Sequence, residues 1–182
     1  MIYFTADFHF YHENIIKFCK RPYSNAEKMN VDLIKNVNDT VDVNDELYIL
    51  GDFGFGSTSQ IKVILNQISC KNLHYIYGNH DKAMCQPDVM KYFKTMGHYK
   101  KISHNGVQII MCHYPLLEWE SCHRGAWALH GHTHGTLVLP ESLKDKKIVD
   151  VGVDVWHYKP VSFIELENFM KNKQNITFGY KE

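Results

Sequence analysis

Short apolar runs, each followed by a cluster of polar residues, recur along the first three quarters of the chain. The runs are rich in β-branched and aromatic residues and are too short to form typical helices, so they predict buried strands. They occupy residues 2–6, 47–50, 73–77, 107–112 and 127–129. The clusters that follow them are dominated by Asp, Asn, His and Gly. The pattern therefore predicts sheets whose strand ends carry the polar chemistry of the protein.

Three predicted helices each begin with a capping box, in which a Ser precedes a Glu or Gln by three residues. The boxes lie at residues 24–27, 57–60 and 162–165, and apolar residues at helical spacing follow each of them. The Asn105-Gly106 pair, between two strand-like runs, predicts a hairpin turn. The predicted buried helix faces are Met29, Leu33 and Val37; Ile61, Ile64, Leu65 and Ile68; and Phe163, Leu166 and Phe169.

The elements alternate between strand and helix in the first half of the chain and are mostly strands in the second. That order predicts an α/β (α+β) domain with layered, mixed sheets. A chain of 182 residues fits one domain, and no repeat or flexible linker divides it. We therefore assign residues 1–182 to a single domain. The motifs described below are too closely spaced to leave room for an inserted cap domain.

Charge and cysteine content narrow the classes of function. The charges of the 20 basic and 20 acidic side chains cancel, which argues against general electrostatic binding to nucleic acid or to an anionic membrane. No apolar run reaches the length of a transmembrane helix. The 5 cysteines are odd in number and lack Cys-x-x-Cys spacing, so we expect reduced thiols in a cytoplasmic protein. A cleaved N-terminal signal would remove Asp7, where the predicted site begins.

Histidine is the unusual component, with 12 residues, and imidazole is the commonest metal ligand among side chains. Ligands of open α/β sheets bind beyond the carboxyl ends of the strands. Each pattern alone, such as Asp-x-His, is more often a turn or a cap, whereas an ordered set after successive strands indicates a composite site. Seven ligands exceed the needs of one tetrahedral zinc and suit two ions that share a carboxylate. The predicted ligands are Asp7, His9, Asp52, Asn79, His113, His132 and His134.

These ordered motifs resemble those of the calcineurin-like metallophosphoesterase superfamily. The resemblance covers Asp-x-His at 7–9, Gly-Asp at 51–52, Gly-Asn-His-Asp at 78–81, a single His at 113 and Gly-His-x-His at 131–134. Residues 12–16, 19–22 and 113–116 further resemble a small bacterial and phage subgroup of that superfamily. The resemblance implies a four-layer αββα sandwich of two mixed sheets flanked by helices.

The resemblance also implies a role for each motif residue. His80 would protonate the leaving oxygen, oriented by Asp81 or Asp52. The implied reaction is hydrolysis of a phosphate ester, with diesters favoured over monoesters, by a hydroxide held between two divalent ions. Mn²⁺ is the favoured metal, with Fe²⁺, Zn²⁺, Ni²⁺ and Co²⁺ as alternatives. Asp7, His9 and His134 would hold the first ion, Asn79, His113 and His132 the second, and Asp52 would bridge them.

Three further residues are candidate substrate contacts. His12 lies just beyond the first motif, Arg21 can clamp a phosphate through two hydrogen bonds, and Arg124 lies in the loop that precedes the last motif. The alternative for each is an ordinary surface side chain. Because the loops are short, we expect an open, shallow site for a small phosphate ester.

Three other functions stay open at this point. A catalytically silent scaffold with this fold need not hold two equivalents of metal, so metal analysis would distinguish it. A structural zinc protein would unfold on chelation and show no hydrolysis. A nuclease acting on nucleic-acid ends would keep the chemistry, but the sequence offers no basic groove to support it. The sequence does not predict the oligomeric state.

Overall fold

The computed structural model describes residues 1–177, which form two β-sheets with helices packed against them. The strands are β1 Ile2–Thr5, β2 Glu46–Leu50, β3 Asn72–Ile76, β4 Phe93–Gly97, β5 Tyr99–His104, β6 Val107–Cys112, β7 Trp127–His130, β8 Ile148–Asp150 and β9 Val161–Ser162. The α-helices are α1 Glu13–Phe18, α2 Ala26–Thr40, α3 Thr58–Gln67, α4 Pro87–Met90 and α5 Phe163–Met170. Short 3₁₀ helices cover Lys82–Cys85 and Cys122–Arg124.

Both sheets are mixed, as the sequence predicts. The five-stranded sheet has the order β4-β3-β2-β1-β9, in which β1 to β4 are parallel and β9 is antiparallel to β1. The four-stranded sheet has the order β5-β6-β7-β8, in which β5 and β6 form an antiparallel hairpin and the other neighbours are parallel. Asn105 and Gly106 both have positive φ in the hairpin turn. The carboxyl ends of the parallel strands therefore lie together at one edge of each sheet.

Alternate residues of the central strands face two different apolar cores. On β2, Leu47 and Ile49 pack with the buried faces of α2 and α3, whereas Tyr48 and Leu50 face the second sheet. Such burial on both faces explains why the strand runs are continuously apolar. The core between the sheets joins residues such as Phe4 and Leu50 to Ile109, Met111, Trp127 and Leu129 of the four-stranded sheet.

The outer face of the four-stranded sheet has a thin cover. Ile110, Ala128 and Ile148 are buried there by Trp119 and Cys122. Both of these residues belong to the loop and 3₁₀ helix between β6 and β7. This loop is therefore committed to packing rather than to covering the strand ends. The structure confirms the mixed α/β class with two mixed sheets and flanking helices.

Two of the three predicted capping boxes form, at Ser57 and Ser162. In α2 the N-cap is Asn25, whose side chain accepts a hydrogen bond from the Lys28 amide, so the predicted box at residues 24–27 is displaced by one residue. The buried faces of α2 and α3 agree with the prediction. On α5 the inward residue is Met170 and not Phe169, which is 43% exposed, because two full turns from Phe163 end at Met170.

No helix within residues 1–177 is long and apolar enough to cross a bilayer. All five cysteines have free thiols.

Candidate metal centre and active site

The carboxyl ends of β1, β2, β6 and β7 bring six of the predicted ligands together. They form two groups, and within each group one ligand atom per residue lies within 4.8 Å of the others. The first group is Asp7, His9 and His134, and the second is Asp52, His113 and His132. This grouping separates the ligands in the way that the resemblance implies, with Asn79 adjoining the second group.

Asp7 and His9, two residues apart, do not lie on an extended strand as expected. We expected an extended strand to point both side chains to one side, but both residues have left-handed backbone angles, with φ of 59° and 52°. The intervening Phe8 and the following Phe10 are fully buried and stack at 5.0 Å. The Asp7 and His9 amides donate to the carbonyls of residues 51 and 52. Apolar anchors and cross-loop hydrogen bonds therefore turn the two polar side chains toward the site.

Left-handed backbone angles recur at three more of the ligands. Asp52, His132 and His134 have φ of 53°, 69° and 48°. This conformation is sparsely populated by residues other than glycine, although Asp, Asn and His tolerate it best. Such strain persists only where the surrounding structure imposes it, and it concentrates at functional sites.

Asp52 belongs to the second ligand group and also lies beside the first. Its Oδ2 is 3.6 Å from His9 Nε2 in the first group and 3.7 Å from His113 Nε2 in the second. Two glycines make room for it. A Cβ on Gly78 would lie 2.3 Å from Asp52 Oδ1, and one on Gly51 (φ +88°) would lie 2.4 Å from His113 Nδ1. The Gly-Asp and Gly-Asn-His-Asp motifs thus interlock around the shared carboxylate.

The deepest ligand atoms have no hydrogen-bond partner among the described residues. Asp7 Oδ1, His9 Nδ1 and His9 Nε2 are all buried in this unpaired state. Burial, together with the charges of Asp150 and Asp52, raises the pKa of Asp7 well above its usual range. Burial, with a contribution from His134, lowers the pKa of His9 to about 2. Unpaired buried acceptors are costly, and a bound cation would satisfy Asp7 Oδ1 and one ring nitrogen of His9, so these residues fit a divalent metal.

His113 is held in the form that binds a metal. Its Nδ1 is 2.8 Å from the Leu50 carbonyl oxygen, which can only accept, so Nδ1 carries the proton. Its Nε2 lone pair then faces Asn79 Oδ1 at 3.0 Å. An amide oxygen and an imidazole nitrogen that face each other at this distance can be bound by one cation. The contact therefore supports Asn79 and His113 as ligands of one ion.

His134 is oriented by a residue that the sequence analysis missed. Asp154 Oδ2 is 2.7 Å from His134 Nδ1, which leaves Nε2 available to a metal. The same carboxylate forms a double hydrogen bond with Arg21, through Nε at 2.8 Å and Nη2 at 2.7 Å. Asp154 follows β8 as the earlier ligands follow their strands, in the sequence Asp150-Val151-Gly152-Val153-Asp154. That position after a strand is the signal that could have identified it.

Arg21, a predicted substrate contact, lies inside the protein and forms its hydrogen bonds there. Its side chain is fully buried, and besides Asp154 it donates to the carbonyls of Asp7 and Phe8 at 2.7 and 2.8 Å. All of this hydrogen bonding is directed into the protein. Arg21 therefore ties the left-handed loop of the first motif to Asp154 and His134, which makes it a positioning residue.

Asp150 fixes the loop that carries His134. Its Oδ2 accepts from Thr133 Oγ1 at 2.7 Å and from the Gly135 amide at 3.0 Å. Its Oδ1 accepts from the Gly152 amide at 2.7 Å. The carboxylate thereby holds the segment on both sides of His134.

We expected Asp81 to orient His80, and the structure shows the Asp81 carboxylate bound to backbone amides. Its carboxylate accepts from the amides of Asp52, Phe53 and Gly78, and burial raises its pKa. It therefore joins the Asp52 turn to the loop that carries His80, and its role is positioning. The His80 amide donates to Asp52 Oδ1 at 3.0 Å, while its side chain is exposed at the site.

His80 and His12 lie on the same side of the first ligand group. Their common neighbour is Phe55, whose ring centroid is 4.8 Å from that of His80 and 3.9 Å from that of His12. His12 is also 5.4 Å from His9 between centroids. On the other side, Tyr114 packs at 4.8 Å from His132. The structure thus places His12 beside the site, and Phe55 and Tyr114 are neighbours that the sequence analysis missed.

Arg124, a predicted substrate contact, lies away from the two ligand groups. It lines a cleft of about 900 Å³ together with Val107, Trp127, Lys147 and Lys171. Val107 and Trp127 begin β6 and β7, so this cleft is at the amino ends of the strands. The ligands follow the carboxyl ends of the same strands. The part of the loop that carries Arg124 folds back over the outer face of the sheet, where Trp119 and Cys122 are buried.

Cys19, His134 and Asp154 form a third group of potential ligand atoms. This group is poorly suited to a metal. Both oxygens of Asp154 already accept hydrogen bonds, and burial raises the pKa of Cys19 to about 11, which opposes the thiolate form.

Comparison with known proteins agrees with the motifs and the geometry. The sequence profile of the calcineurin-like phosphoesterase superfamily domain matches residues 1–156. The chain therefore belongs to this superfamily. An uncharacterized protein of Methanocaldococcus jannaschii is 36% identical over 164 residues, which are 88% of this chain and 86% of that protein.

Phage and bacterial proteins show the same similarity at lower identity. The gene 66 protein of Mycobacterium phage D29 is 24% identical over 183 residues, covering 86% of this chain and 89% of that protein. The crystal structure of a protein of unknown function from Aquifex aeolicus has a TM-score of 0.72 and 24% identity. The aligned region covers 93% of this chain and 98% of the Aquifex aeolicus protein. These relatives show the fold, and the small bacterial and phage subgroup fits them.

Proposed function

We propose that the protein is a phosphoesterase that binds two divalent metal ions, one at each ligand group. The observation that carries this proposal is the position of Asp52, whose Oδ2 lies at nearly equal distances from His9 and His113. A carboxylate shared by two ligand groups suits a pair of ions and has no use at a single tetrahedral site. The unpaired atoms of Asp7 and His9 support the same conclusion.

Each side chain then has a defined task. When bound, the metal pair would supply Lewis acidity toward the phosphoryl group and a nucleophile near neutral pH. Asp7, His9 and His134 would hold one ion, Asn79, His113 and His132 the other, and Asp52 both. His80, exposed at the rim, would donate a proton to the leaving oxygen. Asp81 and Asp52 hold the backbone of the His80 loop so that the imidazole stays at that position.

The ligand chemistry limits the choice of metal. The proposed set contains nitrogen and oxygen ligands and no thiolate, which suits Mn²⁺, Fe²⁺, Co²⁺, Ni²⁺ or Zn²⁺. We propose Mn²⁺ as the working ion, with a small phosphodiester as the preferred substrate. Five free thiols favour a reducing compartment, and we propose the cytoplasm as the place of action.

The first experiment compares hydrolysis of bis-p-nitrophenyl phosphate and p-nitrophenyl phosphate by the chelated protein supplied with single metals. We expect the diester to be turned over faster in Mn²⁺, with two equivalents bound. Replacement of His80 (His80→Asn) should lower kcat by about 10²–10⁴-fold, the range typical of a general acid, without changing metal content. Two bound equivalents with no turnover of either ester would favour the scaffold alternative.

A further inference from the structure

Three aromatic side chains form a strip that leads away from the proposed catalytic histidine. Phe55 contacts His80 at 4.8 Å between ring centroids, and His12 stacks on Phe55 at 3.9 Å with 22° between the planes. Phe18, on α1, meets His12 edge-on at 6.5 Å. We call Phe55, His12 and Phe18 the aromatic strip.

The strip is exposed to an extent that the fold does not require. Phe18 is 73% exposed and Phe55 is 44% exposed, and neither belongs to the described core clusters. Single exposed apolar residues are common, but here two phenylalanines adjoin the same buried metal-ligand group through His12. Contiguous exposed apolar surface at the edge of a polar cleft indicates a binding site.

The position of His80 determines which part of a substrate would meet the strip. Under the proposed function, His80 gives its proton to the leaving oxygen, so the leaving group lies on the His80 side of the metal centre. Phe55 is the aromatic neighbour of His80 on that side, and the strip continues outward through His12 to Phe18. The leaving alcohol therefore extends toward the aromatic strip, where the ring of Phe18 is the most exposed part.

We infer that the aromatic strip binds a flat aromatic ring carried by the leaving group, which makes nucleoside-bearing phosphate esters the preferred substrate class. This inference rests on the proposed function. A nucleobase suits the strip because stacking on aromatic side chains accepts every base and needs no hydrogen-bond code. Lys17 and Lys20 are exposed on either side of Phe18 in the chain and favour an anionic substrate.

The direct test measures nucleoside binding without turnover. The fluorescence of 2-aminopurine riboside is titrated with the protein, and Phe18→Leu, Phe55→Leu and the double variant are compared with the parent. We expect the dissociation constant to rise about tenfold in the double variant, because a stacked base depends strongly on its aromatic partner. Phe169→Leu is the matched control, since Phe169 is 43% exposed on α5 and Phe55 is 44% exposed.

A kinetic test separates this inference from the proposed function. The ratio of KM for glycerophosphocholine to KM for a dinucleoside monophosphate is measured with Mn²⁺. We expect the ratio to exceed tenfold in the parent protein and to fall toward one in the double variant. Hydrolysis of both esters with equal KM, or nucleoside binding that ignores both phenylalanines, would overturn the inference while leaving the phosphoesterase intact. Absence of all hydrolysis with strip-dependent nucleoside binding would instead refute the proposed reaction.

Discussion

The two ligand groups use the same chemistry but differ in their access to solvent. In the first group, Asp7 and His9 are 0% and 2% exposed, and His134 is held from behind by Asp154. In the second group, His113 is fully buried, but His132 and the adjoining Asn79 are exposed. Arg21 and Asp154 connect the first group to the fold by a chain of hydrogen bonds.

This difference in exposure shows how one site can hold a metal ion firmly and still admit a substrate. A buried group with fixed ligands is suited to hold its ion firmly, because its unpaired atoms have no water to satisfy them. A group with exposed ligands lets substrate oxygens approach and lets the ion exchange. We therefore expect tighter binding at the first group and weaker binding at the second.

Removal of the shared carboxylate should have the largest effect, because it changes both ligand groups. Asp52→Asn takes the negative charge from both groups at once, so we expect two-metal binding to be lost. The fall in kcat should exceed the about 10–100-fold typical when an outer-shell partner of a metal ligand is changed. Metal content after dialysis and kcat for bis-p-nitrophenyl phosphate measure the two effects. Full retention of both equivalents would contradict the bridging position of Asp52.

A substitution next to the first ligand group alone should separate the metal affinities of the two groups. Asp154→Asn weakens the support of His134 Nδ1 and breaks the charge pair with Arg21. We expect the tighter of two binding steps in a calorimetric Mn²⁺ titration to weaken about 10–100-fold, with the second step unchanged. Asp32→Asn is a suitable control, because Asp32 pairs with Tyr23 on the helical side. Equal weakening of both steps would show that Asp154 acts through general stability.

The smallest effect concerns the metal-free protein. Burial raises the pKa of Asp7 above its unfolded value, so its contribution to stability is complete below about pH 4 and is lost as the pH rises through the folded pKa. Asp7→Asn removes the free-energy cost of ionising this buried carboxyl at pH 7. We expect the chelated variant to melt about 2–4 °C higher at pH 7 for each kcal/mol of that cost.

Two controls accompany the melting experiment. The gain should shrink as the pH falls and disappear well below about pH 4, where the parent carboxyl is protonated in both states. It should also reverse when Mn²⁺ is added, because the variant lacks a ligand. A chelated variant less stable than its parent at pH 7 would show that the Asp7 carboxylate is not a burden in the empty site.

Sequence reasoning predicted that the candidate ligands lie together because each of them follows a strand, and parallel strands end at a common edge. The same reasoning could not place Arg21, since its partner Asp154 is 133 residues distant and the pairing is formed only by tertiary structure. The position of Arg124 could not be predicted for a related reason. A loop that follows a motif residue can return along the sheet, and this one does so because Trp119 and Cys122 bury the outer face. The exposure of Phe55 and Phe18 likewise depends on neighbours that no local pattern specifies.

The backbone angles of the ligands affect how the protein can be probed and how it can evolve. Asp7, His9, Asp52, His132 and His134 occupy a region that alanine and β-branched residues adopt only at a cost. An alanine scan would therefore mix loss of a ligand with distortion of a loop. Asparagine and glycine are better replacements at these five positions, because they tolerate the left-handed conformation. The same constraint narrows the mutations open to natural drift, so lineages that abandon the chemistry should tend to carry Asn or Gly at these positions.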